Sequence, residues 1–213
     1  MRYLAVLLLL FLLGGCQQQE EQPTAQDAAP VAQATSSGSV AQPAPGGSSY
    51  SFTLPGESSP TEVVLTDDSL KLGSDWEARF DNDEVKVYQD GKIKAIGKFK
   101  KDGRAVVSDS AGNRMVKIKI RDDGDFKVVD PQEAMICKLK FKDDGFKVVG
   151  PDEETVLVKV KASDGKTKIK DGSEKEIAKF KGSSDPTVVT WLAIPNLPKE
   201  VRMACALMFR GTR

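Results

Sequence analysis

Histidine is absent from this 213-residue chain. Its absence removes imidazole as a general acid or base, as the activator of a serine or cysteine nucleophile, and as a metal ligand. Long apolar runs are nearly absent too. The single one, residues 3–13, is too short for a bilayer span, which takes about 20 residues. Neither sign of charge is in excess, because 31 basic residues face 31 acidic ones. Nucleic acid, which needs a basic surplus, is therefore not an expected partner. Cysteine occurs only at positions 16, 137 and 205, a spacing that matches no zinc site. Serine pairs at 36–37 and 48–49 have no nucleophile-elbow pattern around them. No cofactor is expected and no catalytic constellation stands out; the one enzymatic reading left is a pair of carboxylates, and no such pair is marked by sequence.

The N-terminus has the order of an exported precursor. Arg2 precedes the apolar run, and Gly14 and Gly15 lead into Cys16. Leu13-Gly14-Gly15-Cys16 resembles the lipobox of bacterial lipoproteins. That resemblance implies removal of residues 1–15 and acylation of Cys16, which holds the mature chain at a membrane surface. Gln17, where an aspartate would favour retention at the inner membrane, implies sorting to an outer membrane facing the periplasm. Residues 16–49 then form a lipidated cysteine and a linker rich in Gln, Ala, Pro, Ser and Gly, without an aromatic residue before Tyr50. Such a composition has little to bury and reads as a disordered tether reaching on the order of 30 Å.

From Tyr50 onward about 160 residues remain, enough for one domain with its own core. Their dominant feature is a repeat of about twenty residues, clearest between 125–145 and 146–165. Each copy starts with Phe-Lys-Val-Val, passes a turn rich in Pro and acids, and continues into a longer alternating strand. Asp-Gly pairs beginning at 90, 102, 123, 144, 164 and 171 are hairpin signals, since both residues tolerate positive φ. On the long strands Val116, Ile118 and Ile120, then Cys137, Leu139 and Phe141, then Val156, Val158 and Val160 share one face, which predicts a core. The opposite face carries Lys117, Lys119, Lys138, Lys140, Lys159, Lys161, Lys179 and Lys181. On a membrane-tethered domain such a ladder is a candidate anionic-lipid surface. It equally fits a solvated barrel exterior whose charge discourages edge pairing.

The acidic groups 81–83, 122–125 and 143–145 lack the ligand order of an EF-hand loop and are read as turn chemistry. Residues 186–210 change character: Asp185-Pro186 suits a helix start, and Met203 to Phe209 are apolar without interruption. A short helix that is apolar all round predicts burial within the sheet. Cys137 on a core-facing strand position and Cys205 on this helix leave two arrangements open, a single disulfide or two buried thiols.

Many short strands with Asp-Gly turns, followed by one apolar C-terminal helix, resemble the tubby C-terminal-like superfamily, which includes phospholipid scramblases and LURP-one-related proteins. The similarity covers about residues 50–210 and rests on pattern more than on invariant chemistry. It implies a mainly β fold, an antiparallel closed barrel of roughly twelve strands around a central hydrophobic C-terminal helix. It transfers no calcium-binding segment and no phosphoinositide-binding lysine. The expected function is a non-catalytic, membrane-anchored envelope lipoprotein with a binding or scaffold domain over residues 50–213. The alternative is a phospholipid-binding or lipid-handling protein that uses the basic sheet face. The expected partners are the membrane, through the anchor, and an unidentified protein or anionic lipid.

Overall fold

A computed structural model describes residues 47–181 and 184–211. Cys16, residues 1–15 and the linker up to residue 46 lie outside the described residues. Fourteen strands follow one another in sequence: β1 Ser48–Phe52, β2 Thr61–Leu65, β3 Ser69–Leu72, β4 Trp76–Asp81, β5 Glu84–Gln89, β6 Lys92–Phe99 and β7 Arg104–Asp109. After these come β8 Arg114–Ile120, β9 Phe126–Val129, β10 Met135–Lys142, β11 Gly145–Val149, β12 Val156–Ser163, β13 Lys166–Asp171 and β14 Glu176–Lys181. Each pairs antiparallel with its neighbour in the chain, giving one meandering sheet in the order β1 to β14. Two helices, α1 Pro186–Leu192 and α2 Lys199–Met208, complete the domain. The mainly β class agrees with the sequence. The strand number is fourteen where about twelve were expected, and the helical region is divided in two.

Local chemistry explains the meander. Connections are short, and Asp90-Gly91 and Asp164-Gly165 both hold two consecutive positive φ values, the two-residue hairpin turn whose twist matches that of the strands. The longer turns carry their positive φ at Glu133, Glu153 and Glu174. There an aspartate earlier in the loop accepts from following backbone N–H groups, as Asp130 does from Ala134, Asp152 from Glu154 and Thr155, and Asp171 from Ser173 and Lys175. Gly172 serves a different purpose from the one its Asp-Gly sequence suggests. A Cβ there would collide with the Val156 carbonyl, so glycine is required by close backbone approach.

Because consecutive strands alternate in direction, the connections separate into two rims. The first rim holds the β1–β2 loop and the turns at 73–75, 90–91, 110–113, 130–134, 150–155 and 172–175. The second holds the turns at 66–68, 82–83, 100–103, 121–125, 143–144 and 164–165, together with the start of β1 at Ser48.

The helical pair fills the interior. Asp185 caps α1 by accepting from Thr187 N at 2.8 Å, and Pro186 occupies the first turn where no backbone donor is lost. Pro195 and Pro198 prevent a single continuous helix, so α2 doubles back against α1. Trp191, Leu192, Met203, Leu207 and Phe209 are fully buried. α2 packs along β3 to β7, where Ala78, Ala95, Gly97 and Ala105 are small enough to admit a helix, while α1 lies on β11 and β12. Gly97 sits under Met208 and Ala204. Arg202, buried on α2, donates to the Leu192 carbonyl at 3.0 Å and so gives a carbonyl at the end of α1 a partner.

Closure is nearly complete. β1 and β14 are not hydrogen-bonded neighbours, and Phe180 bridges the seam with its ring 5.0 Å from Tyr50 and 5.6 Å from Phe52. Burial, and secondarily Asp185, raises the Tyr50 hydroxyl above its ordinary range.

Candidate binding surfaces

The eight lysines of the sequence pattern all project from the outer face of β8, β10, β12 and β14, and glutamates from the first rim reach back over them. Glu133 pairs with Lys117 and, at 3.3 Å, with Lys119. Glu153 lies 3.9 Å from Lys138 and 4.0 Å from Lys140, and Glu174 binds Lys159. Lys138 also meets the buried Asp125 at 3.1 Å, and Lys161 meets Asp144 at 2.9 Å. Hydrogen bonds from Lys117 and Lys159 hold the Glu133 and Glu174 carboxyls below the usual range.

These glutamates were not among the sequence candidates. Their signal was nevertheless present, since 133, 153 and 174 stand at matching places in the twenty-residue repeat. They occupy the positive-φ position of their turns, which orients each side chain over the adjoining strands. Six of the eight ladder lysines therefore have an acidic partner.

A group of lysines without acidic partners gathers on β11, β13 and β14. Lys179 and Lys181, with Lys147, Lys166 and Lys168, make no ion pair among the described residues. Cross-strand register places Lys168 opposite Lys179 and Lys166 opposite Lys181. The last two of the eight predicted lysines thus join an unneutralised patch beside the open seam, a placement that also protects a strand edge.

A second surface lies at the first rim, where the β1–β2 loop meets the α1–α2 connection. Leu54, Pro55, Leu157, Ile177, Ala193 and Pro195 line a concavity of about 420 Å³, bordered by Asp171, Lys175 and Glu176. This combination of an apolar floor with a few charged groups at the edge suits a ligand or partner side chain. Next to it Glu57 binds Lys199. Burial alone would raise Glu57, but hydrogen bonds from Lys199 and Thr61 outweigh it and keep the carboxylate charged. Composition gave no hint of this site, because its residues come from four separated segments.

The acidic groups act within turns and ion pairs. Asp81 pairs with Lys86 at 2.5 Å, and Asp125 accepts from Phe141 N at 3.0 Å. Among the described residues no group of three His, Cys, Asp or Glu side chains is arranged to hold a metal ion. Cys137 and Cys205 are both buried free thiols. Burial pushes Cys137 up to about 12, and burial together with the Cys137 sulfur raises Cys205 as well. No described helix is long and apolar enough to cross a membrane. Comparison of the chain with family models, curated proteins and solved structures gives no match.

Proposed function

We propose that this chain is a membrane-anchored, non-catalytic envelope lipoprotein whose barrel is a binding module for a protein partner. The observation that carries this reading is the occupied interior. Trp191, Met203, Leu207 and Phe209 fill the space that a ligand-carrying barrel would leave open, so recognition falls to the outside. The first-rim concavity is the outer surface best shaped for it. The missing histidine and the use of carboxylates in turns support a non-catalytic role. The anchor rests on the lipobox-like Leu13-Gly14-Gly15-Cys16, and placement in an outer membrane facing the periplasm rests on Gln17. Membership of the tubby-like superfamily remains a proposal, supported by a many-stranded barrel wrapped around an apolar C-terminal helix.

A photo-crosslinking amino acid placed at Ile177 in the full-length chain, in intact envelopes, tests the site. The expected result is one discrete adduct, absent when the probe stands at Ser110 and suppressed by Leu157→Asp. Identical patterns from positions 177 and 110 would contradict the reading.

A second reading, phospholipid binding by the basic face, is favoured by the unpaired Lys147, Lys166, Lys168, Lys179 and Lys181. It requires capture by anionic vesicles and release by salt, because several ammonium groups near an anionic surface contribute about 1 kcal/mol each and are screened within about 10 Å.

A further inference from the structure

Only three large hydrophobic residues are strongly exposed among those described: Phe80 at 42%, Phe99 at 49% and Ile120 at 41%. Isolated cases of this kind are ordinary on protein surfaces. Here their positions coincide. Phe80 is next to the end of β4, while Phe99 and Ile120 end β6 and β8, so all three stand on the second rim. Each also has the inward orientation of its strand, in line with the buried Ala78, Gly97 and Ile118. They are exposed because the strands continue beyond the end of α2.

The result is an apolar lip around the barrel mouth. Phe99 packs edge-on against Phe209 at 5.4 Å, Phe209 lies 4.8 Å from Phe126, and Phe126 is the cross-strand partner of Ile120. Phe126 in turn lies 6.0 Å from Phe141. From β4 to β8 the lip covers an arc of roughly 20 Å, taking strand spacing as about 4.8 Å. The first rim carries no comparable exposed aromatic residue among those described.

The course of the chain points to a membrane as the occupant. The chain enters the barrel at Ser48 on this same rim, and upstream of Ser48 lies Cys16, the residue that the lipobox-like sequence makes the acylated anchor. The route to a membrane therefore leaves the domain from the side that bears the lip. Around the lip Lys98 pairs with Glu84 at 2.5 Å and Arg104 with Asp102, while Lys100, Lys101 and Arg121, which make no ion pair among the described residues, are offset in number by Asp83, Asp122 and Asp123; with no net charge of either sign there, apolar burial is the main attraction.

We propose that the second rim seats the domain on a lipid bilayer, with Phe80, Phe99 and Ile120 inserted into the headgroup and acyl boundary. The first-rim concavity then faces away from the membrane. This seat is separate from the lysine face and does not need anionic lipid. Each side chain, already about half covered, adds roughly fivefold to partitioning, so the three together give about a hundredfold. A tether that keeps the domain near the bilayer makes even weak partitioning effective; this step and the route upstream of Ser48 rest on the anchored reading.

Flotation of residues 41–213, a compact unit holding the whole described sheet and core, with phosphatidylcholine vesicles tests the proposal. The fragment should float at low and high salt. Phe80→Ser with Phe99→Ser and Ile120→Ser should lower partitioning about a hundredfold, whereas Lys166→Ala with Lys168→Ala and Lys179→Ala should leave it unchanged. A fragment that ignores neutral vesicles, that needs anionic lipid and is released by salt, or that floats equally well as the triple serine variant overturns it. A single Phe99→Trp change supplies a check that does not depend on tolerance of three substitutions. Brominated lipid should quench that tryptophan and spare one placed at Ser110 on the opposite rim. Equal quenching at both, or at neither, also overturns the proposal. Failure of the anchor would be seen separately, as full-length chain washed from membranes by alkaline carbonate.

Discussion

Leu207→Ala tests whether the helical pair is a true core. Leu207 is fully buried on α2, between the strands β3 to β7 on one side and α1 on the other. Loss of a buried leucine side chain costs about 2–5 kcal/mol, depending on how far the surroundings collapse into the cavity. Packing on both sides limits collapse, which places this site in the upper part of the range, about 3–5 kcal/mol. For a domain of this size that corresponds to a fall in Tm of roughly 10 °C. Urea unfolding of residues 41–213 is the assay. The midpoint should drop at nearly constant slope, since the surface exposed on unfolding hardly changes. Lys166→Ala on the exterior should stay within about 0.5 kcal/mol of wild type. A loss below about 1 kcal/mol at Leu207 would refute the packing argument, because it would mean that α2 is not held in a close-packed interior.

Four other outcomes are expected. Asp185→Ala removes the acceptor for Thr187 N and Gly211 N and should cost about 1–2 kcal/mol, with partial recovery in Asp185→Asn, as read from thermal melts. Changing Glu133, Glu153 and Glu174 together to Gln should unmask the lysine ladder and give salt-sensitive binding to anionic vesicles that the parent fragment shows only weakly. The same triple change should alter the acid limb of stability. Glu133 and Glu174 have folded pKa values below their unfolded ones, so their contribution is present above the unfolded value and is lost as pH falls through the folded one; the variant should therefore be flatter than wild type below about pH 4.5. Finally, a thiol reagent near pH 8 should leave Cys137 and Cys205 untouched in the native fragment and modify both in denaturant, and a native mass two protons lower than the reduced one would instead reveal a disulfide.

Much of the fold was legible because the twenty-residue repeat couples two independent signals, alternating apolar positions and turn residues tolerant of positive φ. Val116, Ile118, Cys137, Leu139, Val158 and Val160 all face the core as their period implied. Ile120 shares that period yet is exposed, since sequence shows which way a strand residue points and not where the helix beneath it stops. The division of residues 186–210 followed from Pro195 and Pro198, whose consequence for a continuous helix was available but outweighed by the apolar run beside them. Strand number was harder. The early strands outside the repeat, such as Ser69–Leu72, are too short for alternation to stand above chance.

The functional surfaces were less legible, and for a physical reason. The lysine ladder was visible as a pattern, but its net charge depends on glutamates that reach it from the next turn, through a backbone conformation that composition does not report. The first-rim concavity draws Leu54, Leu157, Ile177 and Pro195 from distant parts of the chain, so only closure of the barrel brings them together.

Native-state hydrogen exchange of the α2 amides is the most direct test of the central claim, that the interior is permanently occupied and recognition lies outside. If it holds, amides of Met203 to Leu207 exchange only through global unfolding, with the same free energy and denaturant dependence as those of β5 and β6. Exchange of α2 through a smaller opening that leaves the sheet protected would contradict the claim, and would show a helix able to leave the barrel and vacate a cavity for a ligand.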